Sequence, residues 1–177
     1  HKKIAVAMST QTWNGETTTT EGVAVPLAYQ LQNNYNEYFK RIALTSEEKS
    51  YVISKGEKKF LETGIWVQKE FPELFSLKLI NGTSAGFSDP SSVLISESVA
   101  NALFGTSNPV NETIRIDNKI NLKIIGVFAD LPFNTRFFNI KILLPWENVE
   151  NRNNQEASWS NHHFRIYAEL YDANKIN

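Results

Sequence analysis

The stretch "SSVLISESVANALFG", residues 91–105, decides the fold. Val93, Leu94 and Ile95 are contiguous and apolar, which predicts a strand buried on both faces. Ser96 follows, and its hydroxyl can accept from a backbone N–H that a helix start leaves unpaired. Glu97 then stands where the helix dipole favours negative charge. Val99 and Leu103 fall on one side of the expected helix, as do Ala100 and Phe104. Gly105 can take the left-handed conformation that ends it. The stretch holds no Cys or His, and a Ser96–Glu97 catalytic pair would need a base that no neighbouring histidine supplies. Capping explains both residues, so this clear local signal is structural.

Downstream, "NETIRIDNKINLKIIGVFADLP" (111–132) is the cleanest sheet signal. Ile114 and Ile116 alternate, then Ile120, Leu122 and Ile124, with Asp117-Asn118-Lys119 as the turn between them. The alternation slips at Ile125, which predicts a bulge or a doubly buried strand. Gly126 is either a close-approach site or the bulge itself. "FFNIKILLPWENV" (137–149) predicts one more strand and a helix start around Pro145. "NRNNQEASWSNHH" (151–163) reads as a polar loop, "HFRIYAELY" (163–171) as a final strand, and "DANKIN" (172–177) as a helix start capped by Asp172.

Upstream, "GTSAGFSDP" (82–90) is loop chemistry and the best candidate for a subdomain boundary. "IAVAM" (4–8) suggests a first strand, and the Thr/Gly-rich "QTWNGETTTTEG" (11–22) a loop. "VPLAYQLQNNY" (25–35) predicts a helix with Pro26 in its first turn and Leu27 and Leu31 on one face. Residues 37–44, 49–54, 58–62 and 65–69 read as a meander of short strands punctuated by Gly56 and Gly64. "FPELFSLKLING" (71–82) predicts a helical turn around Pro72 to Phe75 and then a strand.

The totals set limits. At 177 residues the chain makes one domain or two small ones, with an ordinary folded composition. Eighteen basic against nineteen acidic residues leave no cationic excess for phosphates, which argues against nucleic acid as a partner. The absence of cysteine removes thiolate chemistry and fits an oxidising compartment. The longest apolar runs, 123–128 and 141–146, fall far short of the roughly 18 residues that span a bilayer. The abrupt ends at His1 and Asn177 suggest a piece of something larger.

Candidates for chemistry are thin. Adjacent residues of a strand point to opposite faces, so His162 and His163 are not expected to share a metal, and His1 stands at a terminus. Glu47, Glu48, Glu70, Glu73 and Asp130 are scattered carboxylates; a glycosidase would need two of them facing across a cleft. Trp13, Trp66, Trp146 and Trp159 could stack on sugars, but core and loop packing is the plainer reading. Asn81-Gly82-Thr83 and Asn111-Glu112-Thr113 match a glycosylation pattern and read as turns. No residue is assigned a catalytic, cofactor-binding or metal role.

Three segments taken together carry a resemblance. Ser96-Glu97, Leu103-Phe104-Gly105, Pro109-Val110, Ile114, Ile125-Gly126-Val127 and Asp130-Leu131-Pro132 occur in the order seen in the MacB-like periplasmic core domain of ABC-transporter permeases. That superfamily includes the FtsX and lipoprotein-release permeases. Asn111 replaces the usual glycine after the Pro109-Val110 pair, a position where Asn tolerates the left-handed region. Residues 71–83, 25–32 and 161–174 resemble the flanking family segments.

The resemblance implies an α+β fold of mixed and antiparallel sheets with short helices. Residues 1–81 and 141–177 would form a larger porter-like subdomain, with 82–140 a small mixed α/β subdomain inserted in it. It implies an extracytoplasmic location at the bacterial inner membrane, transmembrane anchors on both sides, no enzymatic activity and no cofactor. Expected partners are a cytosolic ATPase acting through the membrane part, a second permease copy, and a periplasmic adaptor or cargo. Residues 82–90 and Pro132-Phe133-Asn134 are the expected hinges of a domain that relays ATP-driven movement. Two other readings stay open: a secreted or surface module binding glycan or peptide through Trp13 and Trp159, and a hydrolase using the scattered carboxylates.

Overall fold

The computed structural model describes residues 3–148 and 158–172. Among these residues, twelve strands and three short helices make a 10-stranded sheet and a separate two-stranded hairpin. The α+β class expected from the sequence is the one observed.

At one end of the sheet, β1 (Ile4–Val6) pairs antiparallel with β12 (Arg165–Leu170), and β12 with β4 (Phe39–Thr45). Helix α1 (Val25–Asn34) covers one face of this part. Pro26 occupies its first turn, where a missing N–H costs nothing. Val25 and Ala28 pack there on Ile42, Leu44, Trp146, Phe164 and Ile166. The short helix α2 (Phe71–Leu74) covers the other face, where Phe71, Leu74 and Phe87 pack on Ile65, Val67 and Tyr167.

Beyond β4 the sheet closes on itself. β6 (Lys58–Val67), β11 (Ile142–Pro145), β8 (Ser92–Ser96), β10 (Ile120–Phe128), β9 (Thr113–Ile116) and β5 (Lys49–Lys55) are neighbours in that order, and β5 pairs back onto β6. The result is a six-stranded barrel. Alternate residues fill it, as pleating requires: Tyr51 and Ile53, Val93 and Ile95, Ile114 and Ile116, Leu122 and Ile124, Ile142 and Leu144. Leu94 and Leu143, on the opposite pleats of β8 and β11, join the α2-side core. That is why the VLI run is apolar without a gap.

Helix α3 (Glu97–Phe104) lies across one mouth of the barrel. It starts at the end of β8, and Ser96 Oγ accepts from Val99 N–H at 3.3 Å. At its other end, Lys58 Nζ donates to the carbonyls of Ala102 and Leu103 at 3.0 and 2.8 Å, matching a cation to the negative end of the helix. Val99, Ala100 and Leu103 close the barrel core from above. Gly105 ends the helix at φ 63°.

Strand registers give the molecule a long axis. Ile4 opposes Glu169, and Leu170 opposes Phe39, so the start of β1, the end of β12 and the start of β4 share one pole. Thr45 meets Val67 at the far end of β4, and β6 runs from there back to the β5–β6 turn. The barrel therefore stands beyond the tops of β4 and β12.

Several local readings change. Residues 11–22 are not a plain loop: β2 (Ser9–Trp13) and β3 (Glu16–Thr20) form a hairpin with Asn14-Gly15 at its turn. Both faces are solvated, so no apolar alternation betrays it; threonine's β-branching and the Asn-Gly pair are the available signals. Residues 58–62 and 65–69 are one strand through Gly64, not two. A Cβ there would lie 3.1 Å from Ile142 and Tyr51, so the glycine admits neighbours without breaking the strand. Pro145 ends β11 opposite Val67, and Trp146-Glu147 form a turn in place of the expected helix start. The expected helix at 173–177 and most of the loop at 151–157 lie outside the described residues, as does His1.

Candidate functional site

Two of the segments that carried the family resemblance meet at the start of α3. Ser98 N–H and Oγ both donate to the Asp130 carboxylate, at 3.0 and 2.7 Å, and Lys141 Nζ forms an ion pair with it. Asp130 follows β10 and Lys141 precedes β11, so one carboxylate ties the helix start to both strands. Burial pulls its pKa up, but the hydrogen bonds from Lys141 and Ser98 outweigh this and hold it below the ordinary carboxylate value. Glu62 lies against the same pair; burial pushes its carboxyl up, Lys141 opposes and Asp130 adds.

Asp130→Asn is expected to cost about 1–2 kcal/mol at pH 7, at the low end because the carboxylate is 36% exposed and screened. A depressed folded pKa stabilises above the unfolded value near 3.8 and is lost as pH falls through the folded one. Urea titrations should therefore show the gap between wild type and variant closing as the pH is taken down through and below the unfolded value. A gap that persists unchanged into acid would refute the charge argument.

Where β10 bends, two glycines touch. The register with β8 shifts between Ile124 and Gly126, and β10 exchanges β9 for β7 (Leu79–Gly82) as its partner. Gly126 opposes Gly82. A Cβ on Gly126 would come within 3.0 Å of Thr83 O, so it is both the bulge and a close-approach site. Asn111 stands at φ 73°, the left-handed conformation expected of it.

Beside the first pole, the Arg41 guanidinium bridges β12 and α2. It reaches Glu169 at 2.7 Å and Glu73 at 2.7 Å, with Lys40 3.6 Å from Glu169. Sequence reading did not single out this network, because its members are far apart in the chain and each looks like a surface charge. At the same pole Lys3 Nζ is 3.5 Å from Asp172, and Leu170 N–H donates to Lys3 O.

Of the other described candidates, Glu47, Glu48, His163 and Trp66 line one cleft. His162 bonds Gln11 through Nδ1 at 2.8 Å and lies 2.9 Å from Trp159 O through Nε2, while His163 faces Glu47 at 3.8 Å. Among the described residues no group of three metal-ligating side chains is found. Glu47, Glu48 and Asp117 line an open cleft of about 600 Å³ with Lys49, Lys119 and Trp66. Asp117 there accepts from Val52 N–H at 2.8 Å, which ties the β9–β10 turn to β5. Burial pushes the Glu70 carboxyl up. Trp146 is buried in the α1-side core and Trp66 packs partly against it, whereas Trp13 and Trp159 are exposed. No described helix is long and apolar enough to cross a membrane.

The family described as "MacB-like periplasmic core domain" matches residues 4–177 of this chain. The chain belongs to that family. The MacB-like domain fold is also seen in solved structures. A domain assigned to a permease protein of Porphyromonas gingivalis superposes with a TM-score of 0.77 at 20% identity, covering 97% of this chain and 76% of that one. The periplasmic region of MacB from Actinobacillus actinomycetemcomitans gives 0.66 at 19%, covering 87% and 67%. The extracellular domain of the noncanonic ABC-type transporter YknZ from Gram-positive bacteria gives 0.63 at 16%, covering 88% and 77%. No curated protein matches the sequence. The motif residues of the MacB-like resemblance are thus the cap of α3, the bulge of β10 and the Asp130 tie.

Proposed function

We propose that this chain is the extracytoplasmic domain of an ABC-transporter permease of the MacB and FtsX type, on the periplasmic face of the bacterial inner membrane. Transmembrane helices on both sides would anchor it. Its role would be mechanical and non-catalytic, relaying movement driven by ATP hydrolysis in a cytosolic subunit, beside a second permease copy. The observation that carries this reading is the match of residues 4–177 to the MacB-like periplasmic core domain; Lys3 and Asp172 pair at one pole, with the barrel at the other. A body held at one pole tilts when its two anchors move. An adaptor or cargo protein would meet the hairpin and barrel.

Residues 1–81 with 141–177, and residues 82–140, are proposed as the larger and smaller moving units. The barrel draws β5, β6 and β11 from the first and β8, β9 and β10 from the second. Of the two proposed joints, 132–134 is the looser: Phe133 is 91% exposed, whereas Phe87 anchors 82–90 at 1%. The ion pair Arg136–Glu21, at 2.6 Å, bridges the two units.

The test uses the full-length protein in its own membrane. It is expected to co-purify with an ATP-hydrolysing subunit. Thiols placed at Glu21 and Arg136 and joined by a short reducible linker should slow ATP turnover, and reduction should restore it. No associated ATPase would overturn the permease reading; full turnover in the linked complex would overturn the relay. A glycan- or peptide-binding module remains a second reading because Trp13 and Trp159 are exposed, at 81% and 57%. Ligand-array binding lost on Trp159→Ala would favour it.

A further inference from the structure

We propose that the Asn14-Gly15 turn is a self-modifying site, at which Asn14 converts to aspartate and isoaspartate with water as the only co-reactant. The inference stands apart from the permease reading. An asparagine that precedes glycine is reactive because the glycine nitrogen has no adjoining Cβ to hinder its attack. The backbone nitrogen of Gly15 gives up its proton to solvent base and attacks Cγ of Asn14. The N–Cγ bond forms, the Cγ–Nδ2 bond breaks, and the departing nitrogen takes up a proton and leaves as ammonia. Water then opens the cyclic imide. Opening at Cγ gives aspartate; opening at the main-chain carbonyl gives isoaspartate, in which the backbone runs through the side chain.

The chain has two Asn-Gly pairs, Asn14-Gly15 and Asn81-Gly82, and the fold treats them oppositely. Asn14 and Gly15 are exposed at φ 51° and 83°, beyond the last rung of the hairpin, Trp13–Glu16. A Cβ on Gly15 would meet nothing within 4 Å, so the reacting atoms have room. Asn81 is held at the atoms the reaction uses. Gly82 N–H donates to its Oδ1 at 2.8 Å, its Nδ2 donates to Asn108 Oδ1 at 2.8 Å, and it opposes Val127 in the sheet. Ile125 O and the Gly126 Cα crowd Gly82. Ring closure there needs β7 to leave β10 first. Asn111 and Asn118 share the positive φ of Asn14 but precede Glu112 and Lys119, whose side chains shield the attacking nitrogen.

The change has a structural consequence. Isoaspartate adds a methylene to the backbone of a turn whose two residues match the twist of the strands they join. The rungs nearest the tip, Trp13–Glu16 and Thr12–Thr17 with its hydroxyl contact of 2.9 Å, lose their register first. Aspartate tolerates the left-handed conformation and leaves the turn its length.

The test ages the purified chain in mildly alkaline buffer at body temperature. Trypsin releases the two sites in separate peptides, which tandem mass spectrometry and labelling by an isoaspartate methyltransferase then score. In the folded chain position 14 should convert at least about tenfold faster than position 81, which waits on local opening of β7. In urea the two rates should approach each other. Nuclear magnetic resonance should show a second Trp13 indole signal growing with isoaspartate, while those of Trp66 and Trp146 stay in place. Asn14→Asp, which carries the charge without the longer backbone, should keep a single Trp13 signal. Equal conversion at both positions in the folded chain, or none at position 14, overturns the proposal. The same disparity persisting in urea overturns the assignment to the fold. An unshifted Trp13 signal in fully converted protein overturns the loss of register.

Discussion

Gly82→Ala is expected to lower stability by about 3 kcal/mol or more, a fall in Tm of roughly 10 °C for a domain of this size. Two effects add. The residue sits at φ 70°, where a side chain is strained. Its Cβ would also lie 2.3 Å from Ile125 O and 2.7 Å from the Gly126 Cα. Both are backbone atoms of the bent strand β10, so no rotamer change can make room. Gly86→Ala separates the two effects. It shares a positive φ, at 87°, but a Cβ there meets nothing within 4 Å. It should cost only about 1–2 kcal/mol. Calorimetry showing equal losses at both glycines would mean that the contact between β7 and β10 is not a tight one.

Trp146→Ala should cost about 3–5 kcal/mol, the range for deleting a large buried aromatic side chain. The indole is 2% exposed and meets Phe164 edge to face at 5.5 Å, in the core that seats α1 on β4 and β12. The loss should be local before it is global. Hydrogen exchange should show α1 amides opening well before those of β8 and β10, whose core lies inside the barrel. Trp159→Ala, removing an exposed ring, should change stability by less than about 0.5 kcal/mol. Uniform loosening of both regions in Trp146→Ala would show that the cores do not open separately.

What could be read from the sequence follows from where the solvent lies. Strands β8, β9 and β10 and helix α3 have apolar patterns because one or both faces are buried, and Ser96 and Gly105 mark the helix ends chemically. The β2–β3 hairpin escaped that logic, since a strand wet on both faces has no reason to alternate. Barrel closure escaped it too. It depends on Ile53 meeting Ile116, a pairing between distant segments that neither segment announces. The Arg41–Glu169 contact spans 128 positions, and only the fold turns those surface-type residues into an ion pair with one nearly buried member. The Asp130 tie lay between: its residues stood in the quoted motifs, but their meeting at the start of α3 did not.

The side-by-side course of β1 and β12 has a mechanical consequence. Drawing Lys3 and Asp172 apart sideways would unzip three residue pairs, one rung after another, at low force. Drawing both down together, against the barrel, would load the β12–β4 ladder from Arg165–Thr45 to Leu170–Phe39 in shear, with every rung strained at once. The same hydrogen bonds are thus weak against spreading and strong against a common pull, so a tug along the long axis would reach the far pole nearly undiminished.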